Sequence, residues 1–177
     1  MKKIILPLLL LVSAMVSAQN QSTIIKTEAL KMARALAAMD FKTYAAYTWP
    51  ALVSDDSSKQ KIKQGADSAA KYQKQFGLKV KSILIGNPSA VVKHKGVMQC
   101  TISQTTEIEA MMGSLSSENT LIGLSTDGKK WYFVEASLFA SPKSKAKLPE
   151  LSPKLVIPVQ KKPVLKDANG KPLDIKQ

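Results

Sequence analysis

The stretch Ile62–Ile85, IKQGADSAAKYQKQFGLKVKSILI, changes period at its middle, and that change decides the fold. Before Gly77, the apolar residues Ile62, Ala66, Ala69, Tyr72 and Phe76 recur at helical spacing. After it, Leu78–Ile85 is rich in residues that favour a pleated strand. Gly77 stands where a helix ends in the left-handed conformation, which glycine adopts without steric cost. The junction therefore predicts a helical segment before it and a sheet after it.

Towards the N-terminus the helical signals continue. Asp55-Asp56-Ser57-Ser58 reads as a loop and cap for the helix just described. Asp40 suits the N-cap of a shorter one, carrying Phe41, Tyr44, Ala45 and Thr48, which Pro50 either stops or follows with a new turn. Ile25, Ala29, Met32 and Leu36 place one face of a first helix over Ser22 to Met39. Towards the C-terminus, Gly86-Asn87-Pro88-Ser89 is a turn, Ala90 to Lys95 a second strand and Gly96 another turn. Met98, Cys100 and Ile102 then alternate with Gln99, Thr101 and Ser103, so one face of a long strand is buried and Ile108 keeps its parity. Gly113 to Asn119 reads as a loop and Thr120 to Ser125 as a strand. Asp127-Gly128 is a two-residue hairpin signal, and Trp131 to Glu135 is the closing strand. Helices grouped ahead of an antiparallel meander give an α+β class, with three N-terminal helices packed on one face of a curved sheet.

The ends of the chain differ from this middle. Lys2 and Lys3 precede an apolar run, Ile4 to Val12, that closes on Val16-Ser17-Ala18 before polar Gln19. That order is a cleavable signal peptide, with the cut after Ala18, and the run is shorter than a membrane span. An exported protein with no membrane span follows, periplasmic or extracellular. Residues 19–141 form its domain, and residues 142–177 form a Pro/Lys-rich tail, partly docked. The tail holds six of the nine prolines and nine lysines against three acids. Leu155-Val156-Ile157 is expected to add a short strand or to dock, so that residues 142–158 lie against the domain, and Lys166 to Gln177 reads as loop with a turn at Asn169-Gly170. The net charge is +13, yet Arg34 is the only arginine. Readers of bases and phosphates favour arginine for its planar fork, so no nucleic-acid partner is expected. A lysine surplus suits loose attraction to anionic surfaces. One cysteine, Cys100, excludes an internal disulfide.

Three helices followed by a twisted meander resemble the nuclear transport factor 2-like, or cystatin-like, superfamily. Two segments carry the resemblance: Asp40–Pro50, DFKTYAAYTWP, is similar to the second-helix region of secreted bacterial members, and Leu121–Val134, LIGLSTDGKKWYFV, to their closing hairpin. The resemblance covers about residues 22–138 and implies a sheet curled round the helices into a cone. The open end of such a cone holds a ligand in some members and is filled in others. The scaffold hosts isomerases, dehydratases, hydrolases and non-catalytic binding domains, so the fold alone assigns no activity. One departure is that the short strand usual between the second and third helices is hard to see near Ala51-Leu52-Val53.

Residues able to carry chemistry are few. His94, the only histidine, has no carboxylate near it in sequence, and one histidine rules out a multi-histidine zinc site. Cys100 has the parity of the buried face and no evident base. Family enzymes use an Asp base or an Asp–His pair in the cone. The candidates here are Asp40, Asp67 and Glu107, but Asp40 is placed as a cap, Asp67 on a polar helix face and Glu107 with outward parity. No carboxylate is forced inward, so no catalytic residue, metal or cofactor is assigned. Ser125–Trp131 resembles the Asp-box of sialidase-type propellers but is one residue short, and a hairpin turn accounts for it. Asp167-Ala168-Asn169-Gly170 lacks the further acids of a calcium loop.

Tyr44, Tyr47 and Trp49 combine apolar bodies with polar tips, as pocket walls do, although core packing explains them equally. Gln104 and Thr106 share the inward parity of Cys100 and are the polar candidates for a cavity floor. The expected function is an exported non-catalytic domain that holds a small apolar or amphiphilic molecule in the cone, or contacts a protein partner. One alternative is an enzyme working there through Asp40 and the neighbouring tyrosines. Another is an envelope protein attached to an anionic polymer through its tail.

Overall fold

In the computed structural model, which describes residues 5–110, 113–167 and 169–173, helices lead and a sheet follows. Helix α1 spans Ile5–Ala37, α2 Phe41–Tyr47, α3 Pro50–Val53 and α4 Asp56–Phe76. Lys2 and Lys3 lie outside the described residues, and α1 runs through Ala18 without a break. The local signals that start and stop these helices work as read. Asp40 accepts from the Thr43 backbone N–H at 3.0 Å and Asp55 from that of Ser58 at 2.8 Å, each satisfying a donor the first helical turn leaves unpaired. Gly77, at φ 62°, ends α4. Among the described residues no helix is long and apolar enough to cross a membrane.

Six strands make one open antiparallel sheet: β1 Lys79–Ile85, β2 Val92–His94, β3 Val97–Ala110, β4 Gly113–Ser125, β5 Tyr132–Glu135 and β6 Val164–Lys166. The order is β1-β3-β4-β5, with β2 beside β1 on the β3 edge and β6 beside β5 on the β4 edge. The β3–β4 ladder is its spine, in register from Met98↔Ser125 to Ala110↔Gly113. Gly113 to Asn119 is therefore strand, not the loop its Gly, Ser and Asn content suggested. Weak strand propensity yields to a continuous ladder against β3. Between α2 and α3 a single parallel bridge, Thr48 to Phe133, stands where a further strand was hard to see.

Both faces of the sheet carry apolar cover. On the inner face, Ile25, Ala29, Met32 and Ala33 of α1 pack on Ile85, Cys100, Ile102, Leu121, Trp131 and Phe133. The α1 stripe is thus mostly as read, although Leu36 is only half-buried while Ala33 and Ala35 are buried. Gly123 makes this packing possible, since a Cβ there would lie 2.8 Å from the Cys100 Sγ. On the outer face, Ile122, Leu124 and Val134 meet Leu148, Leu151 and Leu155 of the tail, together with Trp49 and Leu52. Gln99 and Thr101, expected to face water, are buried beneath this cover.

After a 3₁₀ turn, Ala136–Ala140, and the one-turn helix α5, Pro142–Lys145, the tail crosses the outer face as a strap. Gln99 Nε2 donates to the Glu150 carbonyl at 2.8 Å, and Gln99 Oε1 accepts from the Ser152 N–H at 2.8 Å. Leu155 is half-buried, whereas Val156 is 80% and Ile157 37% exposed, so the tail docks within the expected 142–158 through Leu148, Leu151 and Leu155 rather than through the whole apolar triplet. The tail then returns as β6. Lys166, expected in a loop, pairs with Ser114, and Leu173 N–H bonds Leu165 O at 2.7 Å across the Asn169-Gly170 turn. Residues 174–177 lie outside the described residues.

Candidate functional site

The tail strap and the helical segment enclose a groove of about 450 Å³. One wall comes from Tyr44 of α2, then Thr48, Leu52 and Val53, and Ser58 and Ile62 of α4. The other comes from Leu138 of the 3₁₀ turn and from Lys143, Ser144 and Lys147. Leu52, Val53, Ile62 and Leu138 make the lining apolar, and the two lysines place positive charge at its rim. Lys147 reaches across to the Asp55 carboxylate, the N-cap of α4, and ties the two walls together. This ion pair, then the Ser58 donors, hold Asp55 far below the usual carboxylate range. Tyr44 is pushed the other way: burial raises its phenol and the Glu135 carboxylate adds to the shift.

The sequence candidates separate in space. Tyr44 lines the groove and also packs on the inner core. Tyr47 packs on the inner core too, but its ring carries the Lys130 ammonium 4.1 Å from its centroid. Trp49 sits with the outer cluster, edge-on to Tyr132 at 5.8 Å. Gln104 and Thr106 lie together on the inner face of β3, where Gln104 Nε2 approaches Thr106 Oγ1 at 3.4 Å. Gln104 is 4% exposed, and its Oε1 has no hydrogen-bond partner. Neither residue lines the groove.

The residues considered for catalysis are engaged elsewhere. Asp40 accepts from the Thr43 side chain at 2.6 Å and from its N–H, which hold its pKa down. Asp67 lies exposed on α4. Glu107 pairs with Lys81 at 3.1 Å, which lowers it. Burial pushes the Cys100 thiol up to about 12, so a reactive thiolate does not form near neutrality. His94 does have a carboxylate: Glu150, distant in sequence, lies 3.2 Å from its Nε2 and also binds Lys95. The Asp127 turn spans six residues rather than two, because Asp127 Oδ1 accepts from the N–H groups of Lys129 and Lys130 at 2.8 and 3.0 Å. Among the described residues no three His, Cys, Asp or Glu converge as a metal site requires.

Two residues of the groove, Lys143 and Lys147, escaped the sequence reading, and so did Glu135, which lies outside it. Glu135 is an inward carboxylate, since it pairs with Leu121 on the inner face of β4. Its position in a strand of fixed parity was a usable signal: Trp131 and Phe133 share its parity. Lys143 and Lys147 gave no such signal, because only the fold brings the tail against α4. Comparison of the chain with protein-family models, with curated proteins and with solved structures finds no match, and the functional reading rests on this geometry.

Proposed function

We propose that the chain is an exported, non-catalytic binding domain of the nuclear transport factor 2-like kind, whose cone opens at the groove and takes one small amphiphilic molecule there. The observation that carries this reading is the groove itself: a largely apolar lining of ligand-binding size in which Lys143 and Lys147 also take part. An apolar tail would lie along Leu52, Val53, Ile62 and Leu138. A polar head would meet the lysines. Export is supported by the Lys2-Lys3 start and the Val16-Ser17-Ala18 end.

The test is titration with a dansyl-labelled medium-chain fatty acid. One-to-one saturable binding is expected, weakened about tenfold by Ile62→Glu, which puts a charge in the apolar wall. Binding that ignores Ile62→Glu, or no binding, removes the reading.

A further inference from the structure

Helix α4 leaves much of its apolar stripe in water. Ile62 and Ala66 are half-buried, but Tyr72 is 54% and Phe76 45% exposed, their rings stacked 6.0 Å apart. The helix rests mainly on α2 and α3, at its N-terminal end. Its polar face is cationic on balance: Lys63, Lys71 and Lys74 are exposed there, against Asp56 and Asp67. On a helical wheel these lysines stand on the side of α4 opposite Tyr72 and Phe76, the two-sided arrangement of a helix lying in the headgroup plane. A helix that is polar on balance but sharply two-sided, lysine-rich on one face and aromatic on the other, has the composition of an interfacial helix.

We propose that α4 docks on an anionic lipid bilayer, laying Tyr72 and Phe76 into the headgroup region while Lys63, Lys71 and Lys74 meet lipid phosphates. Charge complementarity selects this occupant. The exposed cations of α4 outnumber its acids, the chain stays strongly positive once Lys2 and Lys3 are taken from its +13, and a bilayer of one charge sign satisfies such a face at any rotation about the normal. The inference is independent of the groove reading, with which it shares only Ile62.

The experiment uses the full chain with phosphatidylcholine vesicles, with or without phosphatidylglycerol. A polarity-sensitive dye is placed on Gln73→Cys, an exposed position flanking Tyr72, while native Cys100 is buried and unreactive. The dye should shift to the blue with anionic vesicles alone, and added salt should reverse the shift. Tyr72→Ser/Phe76→Ser should weaken vesicle binding about tenfold, and Lys63→Gln/Lys71→Gln/Lys74→Gln by about a hundredfold, with melting curves unchanged. A silent dye overturns the proposal, whatever the rest of the chain does. So does an equal shift on neutral vesicles, or a concentration-dependent dimer that the Tyr72/Phe76 variant dissolves.

Discussion

Gln99 shows what one side chain contributes to this fold. It is fully buried, and its amide acts as a peptide group towards the tail, giving one bond to Glu150 O and taking one from Ser152 N–H. Gln99→Leu would leave both tail groups unpaired, at roughly 1–3 kcal/mol each, so urea denaturation should show a loss of at least about 1 kcal/mol. Unchanged stability would mean that the strap is held without this clamp. The alternation of β3 correctly gave the face that α1 covers. It could not show that Gln99 is buried as well, because its cover arrives from a segment some fifty residues downstream. The strap is also held by charge. Lys95 and then His94 hold Glu150 below its ordinary 4.5, and Lys147 holds Asp55 below its ordinary 3.8. A carboxylate whose pKa falls on folding adds stability above its unfolded pKa and loses it as pH drops through the folded one. Melting temperature should thus decline as pH falls below about 4.5, and Glu150→Gln/Asp55→Asn should flatten that decline. An identical acid profile in the variant would remove these pairs from the account.

Among the elements, β6 and the start of β4 depend on each other. Gly113 sits at φ 142°, and a Cβ there would lie 2.0 Å from the Lys166 carbonyl oxygen. Gly113→Ala should therefore push β6 off the sheet, speeding hydrogen exchange over Val164–Lys166 and lowering the melting temperature by several degrees. In a chain ended after Pro163 the same substitution should cost less, since the clash is gone and only the backbone strain remains. Equal costs in the two backgrounds would show that β6 adds nothing. Helix ends were the most legible elements, because Asp40, Asp55 and Gly77 act within one turn of themselves. The first half of β4 and all of β6 were not, because pairing with distant strands creates them. Nothing local in Ser114-Leu115-Ser116 or Val164-Leu165-Lys166 announces that partner.

At the scale of the whole molecule, a single sheet is covered by the two ends of the chain. Helix α1 fills the inner face, and the strap with Leu148, Leu151 and Leu155 fills the outer one. The groove lies where the strap meets α2–α4, so neither end of the chain forms it alone. That is why Tyr44 was visible in the sequence as a candidate while Lys143 and Lys147 were not. The central claim is that these two walls make one binding site. Hydrogen exchange of the full chain, with and without saturating dansyl-labelled fatty acid, tests it most directly. The account predicts slowed exchange in two separate segments, Tyr44–Ile62 and Leu138–Lys147, with little change in the β3–β4 ladder. Protection confined to one of the two, or found only elsewhere in the chain, would contradict it.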